Sequence, residues 1–439
     1  MVRTKYGQIK GLEMKDYIEY RGVPYAMPPV GDLRWRAPQK MQPWTNVLEA
    51  VHFGNICMQE NMESAPYSKD FNNGEAYVRK MSEDCLYLNI WTPKEHHSDS
   101  AYPVAMWLHG GAFMGGYATE SEFDGSVYAK KGVIVVSVEY RCNIFGFLAH
   151  PWLSEENEQH ISGNYGILDQ IAALDWIKEN IAAFGGNPEN ITVFGQSAGA
   201  MSVQTLVSSP LCKNKIQRAI MQSGGSYGVG LHRDITLEEQ EKYGKMYTDM
   251  MQISNLEELR KLPADTIENS IGQWFGQVMP LTKGLFLTPT LDGYVLYGGY
   301  YELIKNGKIA DIPYMLGAVK DDIDVMGKED NIHEETMLLR GSKYFSYQLE
   351  ALGRFPAYVY YFTHELPGDD WGAYHSAELF YMFGTLDTCW RPWTERDYRL
   401  SEKMIQYWAN FMKTGNPNSE DLPQWQACSK NTENMMIFS

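Results

Sequence analysis

The segment Ile191-Thr192-Val193-Phe194-Gly195-Gln196-Ser197-Ala198-Gly199 joins a short apolar run to a stretch with helical character. Ile191–Phe194 is β-branched and aromatic and reads as a buried strand, whereas Ala200–Val207 reads as a helix. Between them sits Gly-x-Ser-x-Gly. A serine at the tip of so tight a strand-to-helix turn needs glycine on both sides, because Cβ atoms there would collide with neighbouring elements. Such a turn strains the serine backbone and exposes its Oγ. The N–H groups that open the following helix point at the same spot, where negative charge would gather during nucleophilic attack. The pentapeptide alone occurs by chance. The strand before it and the helix after it make Ser197 a candidate nucleophile.

Upstream, Val104–Leu108 reads as a strand that runs into His109-Gly110-Gly111-Ala112-Phe113-Met114-Gly115-Gly116. A glycine-rich loop in this place can turn backbone N–H groups towards an oxyanion without any charged side chain. Alone it fits a structural turn equally well; Ser197 downstream favours the catalytic reading. Val133–Tyr140 is rich in Val and Ile and reads as another buried strand. Ile167–Phe184 carries Leu168, Ile171, Ala172, Leu174, Ile177 and Ile181 at helical spacing, and Gly185-Gly186-Asn187-Pro188 closes it. Arg218–Met221 and Tyr314–Gly317 add two strands. The alternation predicts an α/β fold: a mostly parallel central sheet with helices on both faces. Residues 230–275 are polar and helix-prone, and are expected to leave the sheet and roof a pocket. No linker or internal repeat interrupts the chain, so a single domain is expected over 1–439.

Composition narrows the function. The chain has 439 residues, 44% hydrophobic and 21% charged, enough to bury a large core without metal or disulfide staples. Its net charge of -17 argues against nucleic acid and anionic membrane surfaces as partners. The longest apolar run, near Val133–Val138, is too short to span a bilayer, and Met1–Gly7 has no apolar signal stretch. A cytoplasmic location is expected. The six cysteines show no metal-binding spacing and are expected to be mostly free thiols. Aromatics at 13% and 23 methionines suit an apolar pocket. Trp91, Phe113, Tyr117, Trp274 and Phe275 could line it, or could equally be core. Nothing in the sequence fixes an oligomeric state.

Further motifs carry a resemblance. Arg21-Gly-Val-Pro-Tyr-Ala-Met-Pro-Pro-Val-Gly-Asp-Leu-Arg34 lies near the start, followed by Glu83-Asp84-Cys85-Leu86-Tyr87-Leu88-Asn89. After the glycine loop come Tyr140-Arg141 and Phe145-Gly146-Phe147, then Gly163-Asn164-Tyr-Gly-Ile-Leu-Asp169-Gln170 and Phe184-Gly-Gly-Asn-Pro188. Gln222-Ser223-Gly224 follows Ser197. In this order the motifs resemble the type-B carboxylesterases, the family of cholinesterases and bacterial para-nitrobenzyl esterases, over nearly the whole chain. The resemblance implies an α/β-hydrolase fold and a serine carboxylesterase acting on small-molecule esters through an acyl-enzyme. It implies no metal and no organic cofactor. Its triad runs Ser, acid, His. Gly317-Ala-Val-Lys-Asp321-Asp322-Ile323 matches the acid segment, with Asp322 where the family usually has Glu; Asp321 and Asp324 are rivals on composition. Gly372-Ala-Tyr-His375-Ser-Ala-Glu378-Leu379 matches the histidine segment, leaving His109, His150 and His364 as the other candidates for the base. The oxyanion donors carried over are the N–H groups of Gly111, Ala112 and Ala198.

The chain departs from the resemblance in three places. Gln196 stands where most members have Glu, which removes a carboxylate beside the nucleophile and argues against a choline-ester specialist. The stretch between Asp322 and His375 is much shorter than usual, which predicts a more open site. Cys57 and Cys85 match a loop-closing disulfide of secreted relatives, or remain two thiols. Other hydrolases of the same fold, namely a lipase, a feruloyl-type esterase, an amidase or a thioesterase, share these residues. Non-catalytic binding members of the family typically lack triad residues that this chain retains.

Overall fold

The apolar runs form the middle of a ten-stranded sheet. The computed structural model describes residues 1–60, 68–71, 79–95, 101–231, 233–282, 284–323 and 335–439. In chain order the strands are β1 (Leu12–Glu13), β2 (Tyr17–Pro24), β3 (Tyr87–Pro93), β4 (Tyr102–Leu108), β5 (Ile134–Val138), β6 (Gly186–Gln196), β7 (Arg218–Gln222), β8 (Tyr314–Val319), β9 (Tyr358–Phe362) and β10 (Met436–Phe438). Across the sheet they lie in the order β10-β9-β8-β7-β6-β4-β5-β3-β2-β1. Pairing is parallel from β5 through to β10 and antiparallel among β5, β3, β2 and β1. The expected mostly parallel α/β sheet is therefore present.

Both faces are covered, which explains why the central strands read as unbroken apolar runs. Along β4, Val104, Met106 and Leu108 pack with Leu174 and Ile177 of α4 (Tyr165–Asn180) and Val203 and Leu206 of α5 (Ala198–Ser208). Ala105 and Trp107 face the other way, towards Phe383 of α11 (Glu378–Phe383) and Trp408 and Met412 of α12 (Glu395–Thr414). Between α5 and α11 lie α6 (Leu237–Met250), α7 (Leu256–Lys261), α8 (Ala264–Val278), α9 (Tyr300–Lys305) and α10 (Met337–Ala351); α1 (Ser126–Lys130), α2 (Asn143–Phe147) and α3 (Pro151–Glu156) precede α4.

Some boundaries differ from expectation. The strand expected over Val133–Tyr140 stops at Val138, because Tyr140 turns its hydroxyl onto the His109 carbonyl at 2.8 Å. β6 starts at Gly186 rather than Ile191: the Gly-Asn-Pro sequence stays extended and Gly186 pairs with Tyr102, with an irregularity before Val104 and Ile191 rejoin. α4 passes into a 3-10 turn over Ile181–Phe184, and Gly185 ends it at φ +85°. β1, β2 and β10 and the helices α10 and α12 carry no clear signal in the sequence.

Residues 237–278 form the three helices α6–α8, as the polar, helix-prone composition predicts. Thr236 caps α6 and Asn255 caps α7 through their side-chain oxygens. α8 packs on α2. Trp274 is buried among Tyr247, Phe275 and Phe286, so it belongs to the core of this excursion and not to a pocket wall. Trp91 and Phe113 are likewise core. Arg34 joins the excursion to the N-terminal part: it pairs with both Glu83 oxygens at 2.5 Å and donates to the carbonyls of Arg260 and Leu262 at 2.7 and 2.6 Å. All six cysteines are buried free thiols, Cys57 and Cys85 among them. No helix among the described residues is long and apolar enough to cross a membrane.

Candidate active site

β6 ends at Gln196 and α5 begins at Ala198, leaving Ser197 alone at the turn with φ +56° and ψ −124°. A non-glycine residue held there costs about 1–3 kcal/mol, which the surroundings must offset. Ser197 N–H donates to the Gln222 carbonyl at 2.8 Å, and the Ser197 carbonyl accepts from Met201 N–H at 3.0 Å. Gly199 is obligatory: a Cβ there would land on the Leu108 carbonyl. A Cβ on Gly195 would meet the Gly199 carbonyl at 2.6 Å. Ser197 is partly exposed, whereas Gln196 and Ala198 on either side are buried.

The loop after β4 lies directly against this turn. A Cβ on Gly110 would sit 3.2 Å from Cβ of Ser197. Gly111, Ala112 and Phe113 follow one another at φ +103°, +55° and +60°, which turns their peptide planes over. Met114 and Gly115 N–H close the loop onto the Gly111 carbonyl at 2.8 and 3.1 Å, and Gln59 brackets Gly116 at both its N–H and its carbonyl. Asn143 N–H holds the Phe113 carbonyl at 2.5 Å. The N–H groups of Gly111, Ala112 and Ala198 have no acceptor among the described residues.

The candidate acid and base follow two further strands. Asp322 follows β8 and His375 lies in the segment after β9. Asp321 links the two segments: its N–H donates to the Ala373 carbonyl at 2.9 Å, and its Oδ2 accepts from Ala373 N–H at 2.8 Å. That occupies Asp321 with backbone, while Asp324 lies outside the described residues. Asp322 is fully buried and its Oδ1 lies 2.5 Å from Nδ1 of His375. Its Oδ2 accepts from Ser223 Oγ at 2.8 Å and from Val319 N–H at 3.3 Å. With Nδ1–H committed to a carboxylate, Nε2 of His375 carries the lone pair. That nitrogen faces the turn, 3.2 Å from Nε2 of Gln196.

The other histidines are used elsewhere. His109 is buried with its Nδ1 on the Gly110 carbonyl at 2.9 Å, and burial holds its pKa down to about 4. His150 caps α3. His364 pairs with Asp397 at 2.9 Å. Two site residues gave no functional signal in the sequence beyond lying within motifs. Ser223 is the second residue of Gln222-Ser223-Gly224 and braces Asp322. Glu378 is three residues beyond His375; it is fully buried, accepts from Tyr360 Oη at 3.2 Å and Gln222 Nε2 at 3.4 Å, and is pushed up to about 7, chiefly by burial and then by the Asp322 charge.

Comparison with known proteins shows the family. The profile of the Carboxylesterase family matches residues 1–350 and 330–439. This chain belongs to the carboxylesterase family. Para-nitrobenzyl esterase of Bacillus subtilis (strain 168) is 34% identical to the esterase over 482 residues, covering 100% of this chain and 94% of its own. Liver carboxylesterase of Sus scrofa is 31% identical, covering 97% of this chain and 85% of its own. A solved PNB esterase structure superposes with a TM-score of 0.86 at 30% identity, covering 100% of this chain and 95% of that one. The esterase therefore has the α/β-hydrolase fold and is a carboxylic-ester hydrolase.

Proposed function

We propose that the esterase cleaves small-molecule carboxylic esters through an acyl-enzyme on Ser197, with His375 as general base and Asp322 as the acid that orients it. The observation that carries this is the 2.5 Å contact between Asp322 Oδ1 and His375 Nδ1, with Nε2 turned to the strained serine turn. As Ser197 Oγ bonds to the ester carbonyl carbon, its proton passes to Nε2. Asp322 stabilises the imidazolium without taking the proton. The carbonyl oxygen becomes an oxyanion held by the N–H groups of Gly111, Ala112 and Ala198, each worth about 3–4 kcal/mol in such sites. Collapse releases the alcohol, which takes the proton from His375. Water, deprotonated by the same nitrogen, then frees the acid and restores Ser197. We also assign α6–α8 to the roof of the site: α8 rests on α2, whose first residue, Asn143, holds the Phe113 carbonyl of the oxyanion loop. The partial exposure of Ser197 favours an open site.

Hydrolysis of para-nitrophenyl esters from acetate to dodecanoate tests the assignment, with Ser197→Ala beside the wild type. Wild-type turnover is expected together with a loss of at least about a thousandfold in the variant. A variant that keeps wild-type turnover would remove Ser197 from the mechanism.

A further inference from the structure

The residue before the nucleophile is a buried amide that bonds to the base. We propose that Gln196 is a positioning residue for this reaction: its side-chain N–H donates to Nε2 of His375 and holds the imidazole in its neutral, proton-accepting form. This rests on the assignment of His375 as the general base.

The chemistry of the contact sets its sign. Gln196 Nε2 lies 3.2 Å from His375 Nε2, and both residues are buried. Two nitrogens attract at this distance only if one brings a hydrogen and the other a lone pair. The imidazole hydrogen is already committed at Nδ1 to Asp322, so the amide is the donor. Protonating Nε2 sets one N–H against another and turns the contact repulsive, unless the amide turns over to present its oxygen. A carboxylate in the same place has the opposite effect, since it only accepts and therefore favours the imidazolium.

The other charged groups make this contact consequential. From the β8 side, Asp322 favours the imidazolium. From α11 comes a second carboxyl, Glu378; burial and then the Asp322 charge push it up to about 7, so it is mostly uncharged at mildly acidic pH. On the oxyanion-loop side, His109 stays neutral at mildly acidic pH. The turn itself, Gly195–Gly199, has no ionisable side chain. Asp322 thus favours a charged His375, and the Gln196 amide opposes it. Nε2 has one lone pair, which Ser197 needs during attack. The amide thus acts on the resting enzyme, the state whose ionisations kcat/KM reports.

The test is the pH dependence of kcat/KM for para-nitrophenyl acetate in the wild type, Gln196→Leu, Gln196→Glu and His375→Ala. Gln196→Leu removes the donor, and its acid limb is expected to move up by about half a pH unit. Gln196→Glu also adds a carboxylate, and its limb is expected to move up by about one pH unit, roughly a tenfold loss of rate on the acid side with a smaller change on the alkaline plateau. Glu378 is unchanged in these variants, so its titration does not produce the difference between them. Limbs that overlay the wild type in both Gln196 variants, with His375→Ala inactive, would overturn the role of Gln196 and leave the triad standing. A His375→Ala protein with wild-type turnover would instead overturn the base assignment itself. Should Gln196→Leu fail to fold, the near-isosteric Gln196→Glu decides by the same displacement.

Discussion

Glu378 is a carboxyl kept from water, with Oε2 unpartnered among the described residues. Its pKa rises from an ordinary 4.5 to about 7. The fold thus favours its protonated form. That contribution is complete below about pH 4.5 and is lost as pH rises through about 7, on the order of 3 kcal/mol in all. Glu378→Gln keeps an acceptor for Tyr360 and Gln222 but cannot ionise. Relative to this variant, the wild type is expected to lose stability between pH 5 and pH 8. Thermal melts at the two pH values check this, and identical pH dependence would contradict it. At this scale the sequence was legible where a residue type is chemically forced. A serine between two glycines is a common pattern, but the apolar strand before it and the helix after it made Ser197 readable. Asp322 and His375 needed the family resemblance, because one acid in Asp-Asp-Ile-Asp looks like another. Glu378 and Ser223 show their work only in three dimensions, through burial and through Asp322.

At the scale of elements, the site depends on how closely α5 approaches β4. The start of α5 lies so near the end of β4 that Gly199 has no room for a methyl group against the Leu108 carbonyl. Gly199→Ala is therefore expected to push α5 outward and move Ala198 N–H away from Gly111 and Ala112. Overpacking of this kind costs about 1–3 kcal/mol, and activity is expected to fall at least about a hundredfold. Circular dichroism beside the ester assay separates the two effects; a folded, fully active variant would count against the packing argument. Central strands were legible because burial on both faces leaves a plain Val/Ile run. β10 was not, since three residues, Met436–Phe438, are too few to show a period of two. β1 and β2 mix charged and apolar residues at the antiparallel edge. The Gly-Asn-Pro start of β6 hides an extended segment behind residues that favour turns.

Across the whole molecule, distant segments meet at buried charges. Asp70 is fully buried and accepts from Arg391 Nε at 2.8 Å, from Tyr374 Oη at 2.5 Å and from the Trp390 indole. Tyr374 is the immediate neighbour of His375. Asp70→Asn leaves the buried Arg391 guanidinium with Asp369 as its remaining carboxylate partner, at an expected cost of about 3–5 kcal/mol. It is also expected to lower kcat, because the segment bearing His375 loses an anchor. Urea unfolding and turnover measured together check this; a stability change under about 1 kcal/mol would refute it.

The order of strands in the sheet has a consequence in time. Ser197 stands at the end of β6, but Asp322 waits on β8 and His375 on the segment after β9, with β7 lying between β6 and β8. A chain that has formed only its first six strands carries Ser197 and the loop after β4 without the proposed base, His375. Contacts so far apart in sequence are slow to form. On the proposed triad, hydrolysis is therefore a signal that folding has finished.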